Sequence, residues 1–224
     1  MATAETRERI LDAAEHLFAR RGYHGVSLRA ITDRAGVPLA LVGYHFSSKA
    51  GLFEALFERR MEEINADRRT RLEAILAVAG DAPPPLDDVV DVLIGPLVRA
   101  SHDRARGGVD FARLINDLLN TADQERVLPL IERYFDAMAR PFIAALRRAL
   151  PERSEADIQW AYHFASGALA HSIANVGRLA RLSGGVCRAG DGEEHLARLR
   201  RYLIAGFSSP TDAAAAYEKL AAGD

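Results

Sequence analysis

Apolar residues recur along this chain with the period of an α-helix, and no stretch of any length alternates as strands do. Near the N-terminus, one helical face collects Ile10, Ala13, Ala14, Leu17 and Phe18. This spacing predicts an amphipathic helix over residues 4–21. The helix is expected to end at Gly22, after two arginines whose charge suits a helix C-terminus.

Two short helices are predicted next, separated by a turn that contains glycine. Ser27 is a good N-cap for a helix from Leu28 to Arg34, because its hydroxyl can accept a hydrogen bond from a free backbone N–H. The turn Ala35-Gly36-Val37 follows. Pro38 is expected at the first position of a third helix that runs to His45, where its missing N–H has no consequence.

The rest of the pattern predicts a helical body. A longer fourth helix covers residues 49–78, with Ser47 and Ser48 as N-cap candidates, and the run GDAPPP interrupts the chain after it. Further helices are expected at about 86–104, 108–120, 124–149, 154–182, 193–208 and 211–221, with a glycine-rich surface loop at 183–192. The predicted fold class is all-α, with a three-helix head at residues 1–47 and a body at residues 48–224.

Composition agrees with a globular protein, since the 224 residues are 49% hydrophobic and 27% charged. The net charge of −2 is divided unevenly, with +2 in residues 1–49 and −4 in the remainder. A positive N-terminal segment followed by a negative remainder is expected of a protein that binds nucleic acid through its N-terminal domain. The single cysteine, Cys187, excludes an intrachain disulfide, and no apolar run reaches the roughly 18–20 residues of a membrane span. We therefore expect a soluble, cytoplasmic protein with no membrane partner.

A tight glycine turn between two short helices is typical of a helix-turn-helix, although any all-α protein contains such pairs. Four short motifs stand at the ends of these helices: Gly22-Tyr23, Ala35-Gly36-Val37, Tyr44-His45-Phe46 and Ser48-Lys49. Together they make residues 6–57 resemble the DNA-binding domain of the TetR family of bacterial repressors. The resemblance implies an N-terminal helix-turn-helix that binds DNA and a helical body that dimerises.

The predicted contacts to the DNA backbone lie around the second short helix. Tyr44, His45 and Lys49 can reach phosphate oxygens, and Ser27 and Arg29 are further candidates on the helix before. Such contacts position a protein on the duplex but carry no sequence information.

Base reading is assigned to the second short helix itself, through Pro38, Leu39, Ala40, Leu41 and Gly43. This set departs from the usual family pattern, in which a polar or basic residue often replaces Leu39 and an aromatic residue replaces Gly43. Apolar side chains cannot form the bidentate hydrogen bonds that read guanine or adenine. Thymine methyl groups and DNA shape would then carry the readout. One of the two leucines could face the core instead, and Leu41 is the stronger candidate.

The helix predicted at 154–182 has apolar residues on two opposite faces, with Trp160 on one and Ile158 on the other. Such a helix must be buried on both sides, one against its own core and the other against a second subunit. With the helix at 193–208 it would form a four-helix dimer interface, which the TetR resemblance also implies. Two heads about 34–36 Å apart would then bind a near-palindromic operator in double-stranded DNA. A central helix in a monomer is the alternative.

One face of the same helix is interpreted as the wall of a pocket for a small hydrophobic effector, and it carries Trp160, Phe164, His171 and Asn175. Two other helices would supply the opposing wall: Phe111, Leu114, Ile115, Leu118, Phe135 and Met138. Taken singly, each of these residues is expected in the core more often than in a pocket. No cofactor is expected, and no metal site either, because His163 and His171 lack a third ligand at suitable spacing.

The head sequence and the Trp160-x-x-x-Phe164 pair resemble the branch of the family that controls fatty-acid metabolism. Acyl chains or acyl-CoA are therefore candidate effectors, and other hydrophobic molecules would fit equally well.

The predicted function is a ligand-responsive transcriptional regulator, a repressor that its effector releases from DNA. The helix at 49–78 would couple the two sites, because it begins at the DNA and runs into the body. A binding module whose head no longer reads DNA is the alternative, suggested by Leu39 and Gly43. We do not expect an enzyme, since Cys187, Asp110 and Asp117 have no evident catalytic partner and no phosphate-binding loop is present.

Overall fold

The computed structural model describes residues 2–188 and 190–209, and within them the chain is helical with no strand. The helices are α1 (Ala2–Arg21), α2 (Leu28–Ala35), α3 (Ala40–Phe46), α4 (Lys49–Ala79), α5 (Leu86–His102), α6 (Gly108–Asn120), α7 (Gln124–Ile131), α8 (Ala137–Ala149), α9 (Glu155–Ala174), α10 (Val176–Leu182) and α11 (Gly192–Ser208). A 3₁₀ turn at Arg104–Arg106 precedes α6, and a π-helical turn at Glu132–Asp136 joins α7 to α8. The predicted all-α fold class is confirmed.

Local capping explains why most helix ends could be predicted. Ser27 Oγ accepts a hydrogen bond from the backbone N–H of Ala30 at 3.1 Å, and Ser48 Oγ accepts one from that of Gly51 at 3.0 Å. Each bond satisfies a donor that would otherwise be free in the first turn of α2 or α4. Helices α1, α2, α4, α5, α6 and α11 agree with their predicted bounds to within two residues.

The start of the third helix was predicted wrongly. Pro38 is not its first residue, because Pro38 and Leu39 form a turn ahead of it. The N–H of Leu41 donates to the carbonyl of Pro38 at 3.1 Å, a bond that spans three residues, and the regular helix begins at Ala40.

Two long predicted helices are interrupted. The helix expected at 154–182 ends at Ala174, because Asn175 has φ −118° and ψ 24° and its side-chain amide donates to the carbonyl of His171 at 3.1 Å. The helix expected at 124–149 passes through the π-helical turn. The one expected at 211–221 lies outside the described residues.

The head is built from α1, α2 and α3 around a small apolar core that includes Phe18, Ile31, Val42 and Phe46. Gly36 ends α2 at φ 65°, in the left-handed region that glycine adopts without strain. The guanidinium of Arg9 on α1 donates to the carbonyl of Ala35 at 2.6 Å, which ties this turn to the first helix. The two short helices are therefore held by the longer one, as helices of seven or eight residues require.

A buried ion pair joins the head to the body. Glu15 of α1 is 4% exposed, and its carboxylate accepts hydrogen bonds from Arg60 Nη2 at 2.6 Å and from Arg59 Nη2 at 2.9 Å, both on α4. The next residue, His16, places Nδ1 3.0 Å from Oδ2 of Asp110 on α6. Helix α1 is thus fixed to two helices of the body at once.

The body packs around α5, which contacts α4, α6, α8, α9 and α11. Apolar side chains of α5 are buried along most of its length: Val89, Val90, Val92, Leu93, Ile94, Leu97 and Val98. In the described part of the chain, no helix combines the length and the apolar character that a bilayer crossing needs.

Glu15→Gln is expected to lower the free energy of unfolding by about 3 kcal/mol, because it leaves the buried Arg60 guanidinium beside a neutral amide. Urea unfolding followed by circular dichroism measures this change. The control is Glu8→Gln, whose carboxylate is half exposed and contacts the same Arg59, and we expect a loss below about 1 kcal/mol. Equal losses in the two variants would show that the buried pair does not hold the head in place.

Candidate nucleic-acid interface and effector pocket

The turn before α3 and one side of α3 form an exposed surface of the head. Five predicted DNA-contacting residues are exposed along it: Pro38, Leu39, Ala40, Gly43 and Tyr44. On the other side, Val42 and Phe46 are buried in the head core, and Leu41 is half-buried against it. Of the two leucines, Leu39 therefore faces solvent and Leu41 faces the core.

The start of α2 and the start of α4 lie on either side of α3 in the chain. Ser27 and Arg29 are exposed at the start of α2, and His45 is half-buried at the end of α3. Ser47 adopts φ 63°, the one positive φ among the described non-glycine residues, where the chain turns into α4. The N–H of Gly51 is bonded to Ser48, and the N–H groups of Lys49 and Ala50, which have no acceptor within the helix, point to where an anion could bind.

Lys49, the first residue of α4, lies back against the aromatic residues of the head. Its Nζ is 4.5 Å from the centroid of the Tyr23 ring and 6.0 Å from that of Phe18. Burial, and next the charge of Arg126, lower the pKa of Lys49. The ammonium is therefore partly desolvated over a ring instead of extended into water.

A second cation covers Tyr23, and it comes from the body. The guanidinium carbon of Arg126 on α7 lies 4.1 Å from the centroid of the Tyr23 ring. Asp123 accepts from Arg126 Nε at 2.7 Å and has the same Oδ2 3.2 Å from Nε2 of His24. The hydrogen bond from Arg126 is the main cause of the lowered pKa of Asp123. We call these residues, Tyr23, His24, Lys49, Asp123 and Arg126, the Tyr23 clamp.

The sequence did not predict that Arg126 of the body and Lys49 would pack against the ring of Tyr23 in the head. Arg126 follows Tyr23 by more than a hundred residues, and helical periodicity carries no information on which ring a distant arginine covers. The motif Gly22-Tyr23 marked the position without indicating its partner.

The predicted effector-binding residues of α6 and α8 are part of the core. Phe111, Leu114, Ile115 and Leu118 are at most 2% exposed, and Met138 is 5% exposed. Phe135, in the π-helical turn, is half-buried against the same core.

Trp160 and Phe164 do not join them. These rings are 61% and 64% exposed, and they stack on each other with centroids 5.5 Å apart on the outer face of α9. The inner face of α9 carries the buried Ile158, Ala165 and Leu169. Within one chain, the predicted pocket is therefore not formed. Trp160 and Phe164 lie on the outer side of α9, whereas the predicted residues of α6 and α8 lie in the core behind its inner side.

His171 and Asn175 line a different cavity, of about 380 Å³, between the end of α9, α10 and α11. Leu179, Leu182, Cys187 and Leu199 line it as well. On the described residues, no cluster of three potential metal ligands forms there or elsewhere.

A histidine pair adjoins this cavity. His195, one of its lining residues, has Nδ1 3.0 Å from Nε2 of His102 on α5. Burial, and next His102, lower the pKa of His195, so the ring favours its neutral form. The cavity combines apolar side chains with three arginines, Arg178, Arg188 and Arg198, and one glutamate, Glu194.

Family comparison covers most of the chain in two segments. A model described as bacterial regulatory proteins of the tetR family matches residues 10–56. A second model, described as the tetracyclin repressor-like C-terminal domain, matches residues 91–206. The first match spans α2 and α3, and the second spans the body from α5 to α11.

Sequence relatives are transcriptional regulators. The HTH-type transcriptional activator FasR of Mycolicibacterium smegmatis is 36% identical over 80 residues, which are 31% of this chain and 36% of that protein. The HTH-type transcriptional repressor KstR of Mycobacterium tuberculosis is 35% identical over 101 residues, 44% of this chain and 41% of that protein. The matched region thus spans less than half the length of either relative.

Solved structures share the fold over nearly the whole chain. The fatty acid degradation regulator FadR from Bacillus halodurans superposes with a TM-score of 0.64 at 15% identity, covering 92% of this chain and 97% of that one. The transcriptional regulator FadR from Bacillus subtilis, solved in complex with stearoyl-CoA, gives a TM-score of 0.59 at 15% identity and covers 89% and 98%. At these identities the likeness shows the fold alone.

Proposed function

The chain belongs to the TetR family of bacterial regulatory proteins, and we propose that it is a repressor that binds a near-palindromic operator as a homodimer and is released by a hydrophobic effector. The proposal divides the chain into a DNA-binding domain at residues 1–47 and a ligand-binding and dimerisation domain at residues 48–224. The observation that carries it is the surface formed by α3 and the turn before it, which exposes Leu39 and Tyr44 while Val42 and Phe46 anchor the helix in the head.

In the proposed complex, α3 lies in the major groove of double-stranded DNA. Tyr44, His45 and Lys49 contact phosphates beside it, and Ser27 and Arg29 contact the backbone from α2. Pro38, Leu39, Ala40 and Gly43 face the bases. Because this set offers only apolar contacts, thymine methyl groups and groove shape supply the specificity.

The proposed dimer interface is the outer face of α9 with α10 and α11. Five large apolar side chains are exposed on these helices: Trp160, Phe164, Leu179, Leu182 and Tyr202. A monomer rarely exposes so many large apolar groups on neighbouring helices, because their contact with water is unfavourable. A second copy related by a two-fold axis would cover them and provide the second head.

The proposed effector is a small hydrophobic molecule, with acyl chains and acyl-CoA as candidates. The FadR structure with stearoyl-CoA supports this choice at the level of the fold. The core residues Phe111, Leu114, Ile115, Leu118, Phe135 and Met138 would contact the effector after the body opens. The proposed dimer interface, not the effector site, then includes the four predicted pocket residues of the α9 region: Trp160, Phe164, His171 and Asn175.

The proposed switch uses two connections between the body and the head. Helix α4 runs for 31 residues, about 46 Å, from Lys49 at the head to Ala79 in the body. The Tyr23 clamp connects α7 to the same end of α4. An effector that favours a body with differently spaced heads would shift the population away from the DNA-bound state, and a coupling of about 1–3 kcal/mol is sufficient.

A second candidate function is a binding module whose head no longer reads DNA. The exposed Leu39 before α3 and Gly43 within α3 favour it, because neither residue can form a hydrogen bond to a base edge through a side chain. The experiment below separates the two functions.

Selection of bound duplexes from a random library, by the purified full chain at physiological salt, should recover a near-palindrome. Two heads on a two-fold axis require half-sites about one helical turn apart. A selection that enriches no sequence, with and without added acyl chains or acyl-CoA, would favour the second candidate.

Lys49→Ala should weaken binding to the selected operator and to unrelated duplexes by the same factor. It removes one phosphate contact, so the slope of log K against log salt should fall by about one unit. Fluorescence anisotropy at several salt concentrations gives both quantities. Arg69→Ala, on an exposed position of α4 in the body, is the control and should change neither. A loss confined to one sequence would contradict the phosphate role.

Trp160→Glu should convert the dimer into a monomer, because it places a charge in the proposed apolar interface. Sedimentation velocity at micromolar protein measures the change. Val78→Glu, at a 91% exposed position in the last turn of α4, is the matched control and should remain dimeric. If the unmodified chain sediments as a monomer, the two-headed mechanism is wrong.

A further inference from the structure

Two arginines are buried among the described residues, and they differ in their partners. Arg60 and Arg68 are each 6% exposed, and both lie on α4. Arg60 is paired with the buried carboxylate of Glu15. Arg68 donates from Nη2 to the backbone carbonyl of Leu93 at 2.6 Å, and no described carboxylate lies within 4.0 Å of its guanidinium.

Arg68 therefore holds a charge inside the body that no described carboxylate contacts directly. Its Nε is buried without a hydrogen-bond partner. Burial lowers the pKa of Arg68 to about 10, which still leaves the guanidinium protonated at neutral pH. The preceding residue, Asp67, partly opposes this lowering through its negative charge, but its carboxylate is exposed and lies 3.5 Å from Arg71. Burying a charge in this way is strongly unfavourable unless something else binds it.

A second unsatisfied polar side chain lies one turn away on the same helix. Asn65, three residues before Arg68 and on the same face of α4, is 6% exposed. Its Nδ2 donates to the carbonyl of Tyr134 at 2.8 Å, and its Oδ1 has no partner. The hydroxyl of Tyr134 is also buried without a hydrogen-bond partner, but the charged groups that act on it are Arg133, Glu54, Glu58 and Glu62, not Arg68. Tyr134 belongs to the π-helical turn, a type of irregularity that is frequent at functional sites.

A phenol completes the surroundings of Arg68. Tyr162 on the inner side of α9 is half-buried and packs against the core, near enough to Arg68 for the two groups to interact electrostatically. Burial is the main cause of its raised pKa, so the phenol remains neutral and does not compensate the guanidinium.

We propose that Arg68 binds the carboxylate of an effector that has an apolar body, on the side of α4 that faces Leu93 of α5 and Tyr162 of α9. The inference rests on the effector-binding body proposed above and narrows its ligand class to organic monocarboxylates. A carboxylate can accept two parallel hydrogen bonds from Nε and a second guanidinium nitrogen. An acyl thioester has no free carboxylate and would lack this contact.

The position of Arg68 makes such a ligand able to act on the head. Arg68 follows Lys49 by 19 residues on the continuous helix α4, a distance of about 28 Å. A carboxylate that binds Arg68 and shifts its position would therefore shift α4, the helix whose first residue is Lys49 in the proposed DNA-binding surface.

Thermal unfolding and calorimetry of the full chain without DNA test the proposal. The probes are octanoate, dodecanoate and hexadecanoate, each compared with the primary alcohol of the same chain length. We expect at least one acid to raise the Tm and its alcohol to have little effect. Arg68→Met should weaken that acid at least about tenfold and abolish its advantage over the alcohol. Its Tm without ligand should not fall, because the variant removes a buried charge that no described carboxylate contacts directly.

Arg69→Met is the matched control, since it makes the same substitution at the adjacent, exposed position. It should leave the acid affinity unchanged. Arg68→Lys keeps the charge without the planar fork, and we expect it to bind the acid more weakly than the unmodified chain and more tightly than Arg68→Met.

Three results would overturn the proposal: no stabilisation by any acid, equal stabilisation by acid and alcohol, or an acid preference that persists in Arg68→Met. The first two are measured on the unmodified chain, so poor folding of a variant does not hide them. DNA is absent from these measurements. If the duplex selection recovers no operator, the binding of a carboxylate at Arg68 can still be observed. If no acid binds, the selection can still recover an operator.

Discussion

The position of the DNA-facing head depends on one carboxylate, that of Glu15, held inside the protein by two consecutive arginines of α4. Bidentate contact between a guanidinium and a carboxylate fixes orientation as well as distance. Helix α1 in turn carries α2, while α3 packs directly on α4. The orientation of the recognition surface relative to the body therefore depends on how α1 and α3 lie on α4, and a movement of α4 cannot leave the head where it was.

Lys49 and Arg126 place two positive charges against the ring of Tyr23, so an attraction and a repulsion oppose each other there. The ring attracts each cation, while the cations repel each other, and Asp123 compensates only Arg126. An anion near Lys49 would relieve the repulsion. The proposed phosphate contact and the packing of α7 on the head are thus physically linked, since both act on the same pair of charges. This link is independent of the connection through α4.

Local chemistry decides how much of this structure could be predicted from the sequence. Ser27 and Ser48 cap their helices through bonds that span three residues, so these ends were predicted correctly. Pro38 and Asn175 were misjudged because a local turn and a side-chain bond to the backbone competed with the helix. Periodicity placed Trp160 and Ile158 on opposite faces of α9, as observed, but it could not identify what covers each face. The Tyr23 clamp and the isolation of Arg68 required the folded chain.

Trp160 is the one tryptophan of the chain, and it lies on the outer face of α9, stacked on Phe164 and largely exposed. Indole emission responds to whatever replaces water around the ring. The intrinsic fluorescence of this protein is therefore a signal of what covers α9, not of what enters the core behind Phe111 and Leu118. A spectral change on adding a small molecule would indicate an altered subunit contact. A silent spectrum would be compatible with full occupancy of the core.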